Sequence, residues 1–304
     1  MTAALILLAL TLDAAFGEPR RWHPLVGFGR WAQYIERRLN GRGGTCAQRL
    51  LGLLAVILAV APGTLLVAAS QPMPVLKALV DVVTVYFAVG HRSLREHAQR
   101  VYAALQQGDL TAARECVSFM VSRDTAGMSR EAVALAAVES VLENGNDAVF
   151  GAVFWFVLAG APGVLLYRLI NTLDAMWGYR TPRFIYFGWA AARLDDVLNF
   201  VPARLTALSY ALMGRTAGAL RCWYSQARCW ESPNAGPVMA AGAGALGLAL
   251  GGGAYYHGRW KERPGLGFGP APDARAIPAA LRLVSGALLL WVLVIIAADV
   301  VARG

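Results

Sequence analysis

The stretch Leu50–Leu76 reads L-L-G-L-L-A-V-I-L-A-V-A-P-G-T-L-L-V-A-A-S-Q-P-M-P-V-L and contains no charged side chain. Further uncharged apolar runs occupy residues 148–167, 232–258 and 283–298. Uncharged runs of about 18 or more apolar residues are typical of membrane spans. The sequence therefore predicts that the chain crosses a membrane several times.

The composition agrees with this class. Of the 304 residues, 57% are hydrophobic and only 15% are charged, against roughly 25% charged residues in an ordinary soluble domain. We predict an all-α, polytopic integral membrane protein with about five transmembrane helices and room for re-entrant segments. Residues 1–16 are expected to form a first span that is retained, about 281–302 a last one, and 1–304 a single domain.

Three features interrupt the apolar runs. Pro62-Gly63 predicts a kink within the span at 50–69, because proline removes a helical hydrogen bond. The sequence G-A-P-G at 160–163 predicts either a bend in one span or a re-entrant hairpin. Asp81 lies in the middle of the apolar run 74–90, and acids at such a depth usually face protein or water.

Glycines within the run 232–258 match the pattern G-x-G-x-x-G at Gly242, Gly244 and Gly247. A dinucleotide-binding fold is not expected, because no β-branched strand precedes the glycines and no acid follows about 20 residues later. Close packing of helices through small residues is the preferred interpretation. Gly247 and Gly251 have the G-x-x-x-G spacing of such a contact.

Arginine is concentrated in short segments beside the apolar runs. Residues 17–49 contain seven arginines and two glutamates, a net charge of +5, whereas residues 91–147 contain six arginines and eight acids, a net charge of −2. This is the positive-inside pattern, so 17–49 is expected on the cytoplasmic side. The Arg- and Asp-rich segment 171–230 is expected to be cytoplasmic or interfacial. The overall charge of +9 therefore does not indicate a nucleic-acid partner.

The segment 122–147 combines acids and arginines with a helical pattern. Ser129 is the expected N-cap of a helix, on which Glu139, Glu143 and Asp147 share one face at i, i+4 and i+8. Three carboxylates repel one another unless positive charge lies between them, and a divalent cation, an arginine cluster or a substrate amine would supply it. A solvated helix face is the alternative. The segment 91–147 is predicted to be a cytoplasmic helical segment that carries this acidic motif.

Other polar residues stand close to apolar segments. Asp174, Asp195 and Asp196 have arginines nearby, so they are either functional groups or members of ion pairs. Ser232-Pro233-Asn234 stands at the start of an apolar run, where polar residues can face a ligand. His23 lies within Gly17–Gly29, where Pro19 and Pro24 exclude a continuous helix, and it is either functional or part of a surface turn.

Short motifs follow one another along nearly the whole chain. They are G-E-P…H-P at 17–24, R-S-L-x-x-H at 92–97, G-D-L-x-x-A-R at 108–114, S-R-D-T at 122–125, E-S-V-x-E-N-x-x-D at 139–147, G-A-P-G at 160–163, N-T-L-D-x-M-x-G-Y at 171–179, F-G-W-A-x-A-R-L-D-D at 187–196, P-A-R-L-T at 202–206, S-P-N-A-G at 232–236 and R-P-G-L-G at 263–267. In this order they resemble the adenosylcobinamide (phosphate) synthase family of cobalamin biosynthesis, the CobD/CbiB type. Glu18 departs from the aspartate usual in that family, and Gly145-Asn146 stands where Thr and Ser are common.

The resemblance implies an ATP-dependent amide ligase of the bacterial cytoplasmic (inner) membrane, multi-pass and with its active face in the cytoplasm. The enzyme would join adenosylcobyric acid to (R)-1-amino-2-propanol or to its O-phosphate, with Mg²⁺ and ATP as cofactors. An acyl phosphate attacked by the neutral amine is the expected route. The implied partners are these substrates, membrane lipid, and either further copies of the chain or other membrane proteins of the cobalamin pathway.

The resemblance also implies roles for residues of the motifs. The expected catalytic carboxylates are Asp124, Glu139, Glu143, Asp174, Asp195 and Asp196. The expected metal ligands, which would alternatively hold the amine, are Glu139, Glu143 and Asp147. The expected phosphate-binding residues are Arg123, Arg193 and Arg204. The remaining residues expected to bind substrate are His23, Thr125, Asn144, Asn171, Tyr179, Ser232 and Asn234.

Two other classes of function remain open from the sequence. A non-catalytic membrane sensor or regulator of the AmpE type would share the pattern of spans without the chemistry. A transporter would show charges along its spans and inverted repeats, of which the sequence has Asp81 and no clear repeat. The density of acids and arginines in the motifs favours the ligase.

Overall fold

The computed structural model describes residues 1–19, 23–256 and 258–302, the side chain of Val75 excepted, and this part of the chain is mainly helical. The helices are α1 Thr2–Phe16, α2 Pro24–Leu39, α3 Thr45–Ser70, α4 Pro74–Ala88, α5 His91–Gln106, α6 Leu110–Ser118, α7 Arg130–Gly145, α8 Gly151–Trp177, α9 Trp189–Leu198, α10 Phe200–Met213, α11 Thr216–Gln226, α12 Ala235–Leu246 and α13 Ala276–Val301. A π-helical turn, Asn146–Phe150, joins α7 to α8, and a 3₁₀ turn at Ala227–Cys229 follows α11. The strands are β1 Ala249–Gly251, β2 Ala254–Tyr256, β3 Arg259–Lys261 and β4 Gly265–Gly267.

Three helical runs of the described chain are long and apolar enough to cross a membrane. They are Thr45–Ser70, Arg130–Trp177 and Ala276–Val301. Shorter apolar helices are Thr2–Phe16, Phe200–Met213 and Ala235–Leu246. The predicted class, an all-α polytopic membrane protein, is confirmed. The first predicted span forms a helix of 15 residues, which rises about 22 Å, less than the roughly 30 Å of a bilayer's hydrocarbon core.

The predicted interruptions behave differently from one another. Helix α3 continues through Pro62. Helix α8 is broken at Ala159 (φ −138°) and Gly160 (φ 62°), directly before Pro162, so the predicted interruption at 160–163 is confirmed. The acid in α4 has a partner, because Lys77 Nζ lies 2.5 Å from Asp81 Oδ2 and the Asp81 carboxylate is buried.

The prediction of a membrane span at 232–258 is wrong. Helix α12 has only 12 residues and ends where Gly247 adopts a left-handed conformation, with φ 68°. Gly251, which was expected to form a G-x-x-x-G helix contact with Gly247, lies instead in strand β1 with φ 84°. The glycine content of this run therefore serves backbone turns as well as helix packing.

Small residues of α12 allow α7 and α11 to pack closely against it. A Cβ atom on Gly242 would lie 2.7 Å from the Leu142 side chain of α7, and one on Gly244 would lie 2.4 Å from the carbonyl oxygen of Gly218 in α11. Cβ atoms do not approach other atoms so closely. The preferred interpretation of these two glycines, close packing of helices, is confirmed.

The four strands form two small antiparallel sheets. Strand β1 pairs with β4, with Leu250 opposite Leu266. Strand β2 pairs with β3, with Tyr255 opposite Trp260. The sequence does not indicate these strands, because a strand of three residues is too short to show an alternating pattern.

The chain forms two compact units, and each is described by itself. The first contains Met1–Gly90 and Gly151–Asn199, and its core includes Ala55, Ala59 and Trp177. The second contains His91–Phe150 and Phe200–Gly304. In the second unit α7 is central, because α5, α6, α12 and α13 all pack against it and its residues from 133 to 142 are almost entirely buried.

Replacing Gly52 by alanine tests the packing of the first unit. A Cβ atom there would lie 1.9 Å from the carbonyl oxygen of Phe187, a backbone atom that cannot move aside cheaply. We expect Gly52→Ala to destabilise the protein by about 1–3 kcal/mol, measured as a lower apparent melting temperature in detergent. The matched control is Gly27→Ala in α2, where no atom lies within 4 Å of the added Cβ. Equal melting temperatures for both variants would contradict this packing.

Candidate functional site

A buried cluster of three charged side chains is the main polar feature of the second unit. Glu139 of α7 accepts hydrogen bonds at Oε2 from Arg123 Nη2 (2.5 Å) and Arg263 Nη1 (3.0 Å). Its Oε1 accepts one from the backbone N–H of Gly251 at 2.8 Å. The side chains of Glu139, Arg123 and Arg263 are only 1%, 9% and 8% exposed. One carboxylate therefore binds two arginines that are far apart in sequence.

The charges of this cluster do not cancel. One carboxylate opposite two guanidinium groups leaves a net charge of +1. Buried charges are stable only when they are paired, and the planar fork of arginine suits carboxylate and phosphate groups. This excess belongs to the cluster alone, because Glu143, Glu231 and Glu262 line the cavity beside it.

A cavity of about 270 Å³ lies beside the cluster. Residues from α7, from the loop before it, from the turn before α12 and from the β segment, residues 249–267, line this cavity; they include Arg123, Glu143, Asn144, Trp230, Lys261 and Arg263. Arg263 lies over the Trp230 ring, 5.3 Å from its centroid. The cavity thus combines two guanidinium groups, an aromatic wall and, besides Glu139, the carboxylates of Glu143, Glu231 and Glu262.

The local sequence explains why α7 presents these side chains. Ser129 caps the helix as predicted, because its Oγ accepts the Ala132 N–H at 3.2 Å. Glu143 follows Glu139 by one turn and reaches the same cavity. Asn144 donates to the Ser140 carbonyl and hydroxyl oxygens at 3.0 Å each, which fixes its amide beside Glu143.

Asp147, the third of the acids predicted to share one helix face, lies in the π-helical turn. Asp147 accepts a hydrogen bond from Asn146 Nδ2 at 2.9 Å, and the Asn146 Oδ1 accepts one from Thr206 at 3.0 Å. A π-helical turn contains an extra residue, so the i, i+4, i+8 spacing no longer defines one face beyond Gly145. Asp147 is not among the residues that line the cavity.

Across residues 1–19, 23–256 and 258–302, no group of three or more His, Cys, Asp and Glu side chains is placed to hold a metal ion. Both oxygens of Glu139 already accept hydrogen bonds from the protein. The assignment of Glu139, Glu143 and Asp147 as metal ligands stays a prediction. The contacts of Glu139 instead match the alternative in which an arginine cluster supplies the positive charge.

The S-R-D-T motif contributes a connection to the β2–β3 hairpin. Asp124 accepts the Gly258 N–H at Oδ2 (2.7 Å), and its own backbone N–H donates to the Tyr255 carbonyl (2.9 Å). The Thr125 carbonyl accepts the Met128 N–H at 3.1 Å. In the structure, Asp124 therefore contacts the backbone of the hairpin, while Arg123 beside it reaches the cavity.

Three other predicted residues of the second unit, Ser232, Asn234 and Arg204 of α10, meet at the turn before α12. Ser232 Oγ accepts the N–H groups of Asn234 (3.3 Å) and Ala235 (3.1 Å). Arg204 donates to Asn234 Oδ1 (2.7 Å) and to the Pro233 carbonyl (3.0 Å). These contacts tie α10 to the S-P-N turn. None of the three residues is among those that line the cavity.

In the first unit, acids and amides near α9 form a separate cluster. Asp195 accepts hydrogen bonds from the amides of Asn171 and Asn199 at 3.1 Å, and Arg193 pairs with Asp196 at 2.9 Å. Burial raises the pKa of the Asp196 carboxyl, against the opposing effect of Arg193. Asp174 lies close enough to both aspartates for their charges to repel. Of the other predicted residues of this unit, Tyr179 is exposed.

His23 is the N-cap of α2, also in the first unit. Its Nδ1 accepts the Leu25 N–H at 3.2 Å, and its ring meets the edge of Phe87 with centroids 5.7 Å apart. Burial lowers the pKa of His23, and Arg168 lowers it further while Glu18 opposes both. The lowered pKa favours the neutral form of the ring. Its predicted role in substrate binding stays a prediction.

The predicted set did not include Arg263, Lys261 and Trp230, although all three line the cavity. The motif R-P-G-L-G at 263–267 was a signal for Arg263. Nothing in the sequence indicated that this arginine would meet Glu139, because 124 residues separate the two.

These observations define the class of the protein. The chain is a polytopic helical membrane protein with a buried arginine–carboxylate cluster beside a small cavity. The family model described as CobD/Cbib protein matches residues 6–284. The chain therefore belongs to the CobD/CbiB family, and its role lies in cobalamin biosynthesis.

Individual relatives agree with this assignment. The chain is 55% identical over 305 residues to the cobalamin biosynthesis protein CobD of Chromobacterium violaceum, covering 99% of this chain and 98% of that protein. It is 59% identical over 288 residues to the CobD protein of Stutzerimonas stutzeri, with 95% of each chain covered. It is 40% identical over 303 residues to that of Geobacter metallireducens, with 95% and 94% covered. No solved structure matches the chain.

Removing the charge of Glu139 tests the cluster. We expect Glu139→Gln to cost about 3–5 kcal/mol of stability, because two buried guanidinium groups lose their carboxylate. Arg123→Gln should cost less, since Glu139 keeps Arg263 and the Gly251 N–H. Apparent melting temperatures in detergent measure both effects, with Glu131→Gln, an exposed residue of the same helix, as control. A larger loss for Arg123→Gln than for Glu139→Gln would contradict the shared-carboxylate arrangement.

Proposed function

We propose that the protein is an ATP-dependent ligase that forms an amide between adenosylcobyric acid and (R)-1-amino-2-propanol or its O-phosphate, giving adenosylcobinamide (phosphate). Membership of the CobD/CbiB family supports this proposal. The observation that carries it is the cavity in which Arg123 and Arg263, held by one buried carboxylate, lie beside Glu143, which follows Glu139 by one turn of α7. Such a site suits a reaction that handles phosphate and an amine together.

The chemistry requires activation of the carboxylate. A carboxylate and an ammonium group do not condense in water, so a propionate oxygen of adenosylcobyric acid attacks the γ-phosphorus of ATP. The bond from that phosphorus to the bridging oxygen breaks, and ADP leaves. The neutral amine then attacks the carbonyl carbon of the acyl phosphate, and the bond between this carbon and the phosphate oxygen breaks. The products are the amide, ADP and inorganic phosphate.

The two arginines take the phosphate-binding role in this scheme. Their guanidinium groups stabilise the charge on the transferring phosphoryl group and on the phosphate that departs. Glu139 orients both groups through its Oε2 atom, so they are already in place when the substrate binds. Lys261, which also lines the cavity, adds a further cation at its edge.

Glu143 binds and deprotonates the substrate amine in this scheme. A carboxylate one helical turn from the arginine cluster binds the substrate ammonium group and accepts one of its protons, which makes the nitrogen nucleophilic. The second proton lost from nitrogen leaves with the phosphate. Asn144, whose amide is fixed by Ser140, positions the amino alcohol beside Glu143.

The size of the cavity limits what enters it. Its volume of about 270 Å³ lies just below the roughly 300–1,000 Å³ of pockets that enclose drug-sized ligands. An entire corrinoid, a macrocycle with several side chains, is larger than this. We therefore assign the cavity to the amino alcohol, the phosphoryl group and one propionate arm, with the rest of the corrinoid outside it.

Magnesium would arrive with ATP in this proposal. Mg²⁺ is commonly held by one or two protein carboxylates together with substrate phosphates, and Glu143 and Glu262 both line the cavity. The ion would neutralise part of the phosphate charge. The roles predicted for Asp174, Asp195 and Arg193, which lie in the first unit, stay predictions. The active face is proposed to be the cytoplasmic face of the inner membrane, where ATP is available.

The test uses protein purified in detergent with adenosylcobyric acid, aminopropanol phosphate or aminopropanol, and Mg·ATP. Mass spectrometry follows the corrinoid product, and a coupled assay follows ADP. We expect a product heavier than the corrinoid by the amino alcohol less one water, with equimolar ADP. If the corrinoid binds but no ADP is released with either amine, the proposed ligase activity is overturned and a sensor or regulator is favoured.

The Glu143→Gln variant tests the proton acceptor. Glutamine keeps the size of the side chain but neither its charge nor its basicity, so we expect turnover to fall at least about 10²-fold. The apparent melting temperature should remain close to that of the wild type. The matched control is Glu115→Gln in α6, an exposed position, which should keep full activity. Normal turnover by Glu143→Gln would exclude Glu143 as the base.

A further inference from the structure

The β2–β3 hairpin brings residues to the cavity but is itself weakly held. Tyr256 of β2 and Lys261 of β3 line the cavity, and Arg263 follows two residues after Lys261. The placement of the hairpin therefore determines where two cations of the site lie. Each strand has only three residues, and a two-stranded hairpin of this kind is at best marginally stable on its own.

Much of the described part of the hairpin is exposed to solvent. All three residues of β3 are exposed, and Tyr255 and Trp260 remain 52% and 53% exposed. The ion pair between Lys261 and Glu231 is largely solvent-exposed, and such pairs contribute little. The chain before β2 contains Gly251 (φ 84°) and Gly252 (φ 78°), backbone conformations that favour glycine.

Asp124 contacts the backbone of the hairpin at two places, in β2 and just before β3. Its carboxylate accepts the Gly258 N–H at 2.7 Å, a charge-assisted bond, and its backbone N–H donates to the Tyr255 carbonyl at 2.9 Å. Because Arg123 is the adjacent residue and binds Glu139, one short segment contacts both the hairpin and the charged cluster. This segment can therefore align Lys261 and Arg263 with Arg123.

We propose that Asp124 is a positioning residue, which acts by holding the β2–β3 hairpin and with it Lys261 and Arg263 at the cavity, and that it is neither the base nor a metal ligand. The role goes beyond the proposed ligase function, although the kinetic part of its test rests on that function. What Asp124 supplies is a hydrogen-bond acceptor for the Gly258 N–H. A carboxamide can supply the same acceptor, whereas a methyl group cannot.

This difference determines the experiment. Asp124→Asn keeps an oxygen that can accept the Gly258 N–H, and Asp124→Ala removes it. Loss of a hydrogen bond to a charged group corresponds to roughly a ten- to hundredfold shift between the held and released hairpin. For Asp124→Ala we expect KM for Mg·ATP to rise by about tenfold or more, with a smaller change in kcat, and for Asp124→Asn we expect both constants within a few-fold of the wild type.

Hydrogen–deuterium exchange of the full-length protein in detergent gives a readout that does not depend on activity. Peptides covering residues 254–261 should exchange about ten- to hundredfold faster in Asp124→Ala than in the wild type, with Asp124→Asn close to the wild type. The matched control is Asp273→Ala, which also removes a carboxylate that accepts a backbone N–H, that of Arg275 at 2.8 Å. This control should change neither the exchange of the hairpin nor the kinetics.

Two outcomes would overturn the proposal. The first is loss of turnover in Asp124→Asn as severe as in Asp124→Ala while the hairpin exchanges normally, because this would show that the carboxylate acts in the chemistry. The second is normal exchange of the hairpin in Asp124→Ala. If the wild type proves to have no ligase activity, the proposed function fails, but the exchange experiment still decides whether Asp124 holds the hairpin.

Discussion

The second unit depends on the pairing of one buried carboxylate. Glu139 meets donors from three separate segments, namely Arg123 before α7, the backbone of Gly251 in β1, and Arg263 between β3 and β4. A buried charge is tolerated only when it is paired and hydrogen-bonded, so the two arginines and the β segment have few alternatives to this arrangement. The same pairing leaves one positive charge in excess within the cluster itself, while Glu143, Glu231 and Glu262 also line the adjoining cavity, so a phosphate bound there would meet both guanidinium groups and carboxylates.

Much of the fold could be predicted from the sequence because its signals are local. Runs without charge predicted a polytopic helical membrane protein, Ser129 predicted the start of α7, and the G-A-P-G sequence predicted the interruption of α8. These signals depend only on residues within a few turns of each other. The choice of Glu139 and Glu143 as site residues had the same basis, since both acids lie on one face of an α-helix, and both line the cavity.

The remaining features depend on contacts between distant segments. The predicted shared face extended to Asp147, but Asp147 lies in a π-helical turn. No residue type in the sequence indicates such a turn. The partner of Glu139 could not be predicted because Arg263 is 124 residues away and lies in a basic loop with no periodic pattern. Asp124 was predicted to act in the chemistry on the strength of its motif, and that role stays a prediction; the sequence did not indicate that its carboxylate would accept the Gly258 N–H of a hairpin.

The incorrect span at 232–258 shows why composition alone misleads at this site. The run is apolar and rich in glycine because backbones approach each other closely there, and a side chain would not fit between them. Within the run, a Cβ atom on Gly251 would lie 2.1 Å from the Pro264 carbonyl oxygen, and beyond it one on Gly267 would lie 2.0 Å from the Leu248 carbonyl oxygen. These approaches bring β1 and β4 against the end of α12 and leave the Gly251 N–H directed at Glu139. A membrane span and a tightly folded β segment can therefore share a composition, and only the positions that require φ > 0 distinguish them.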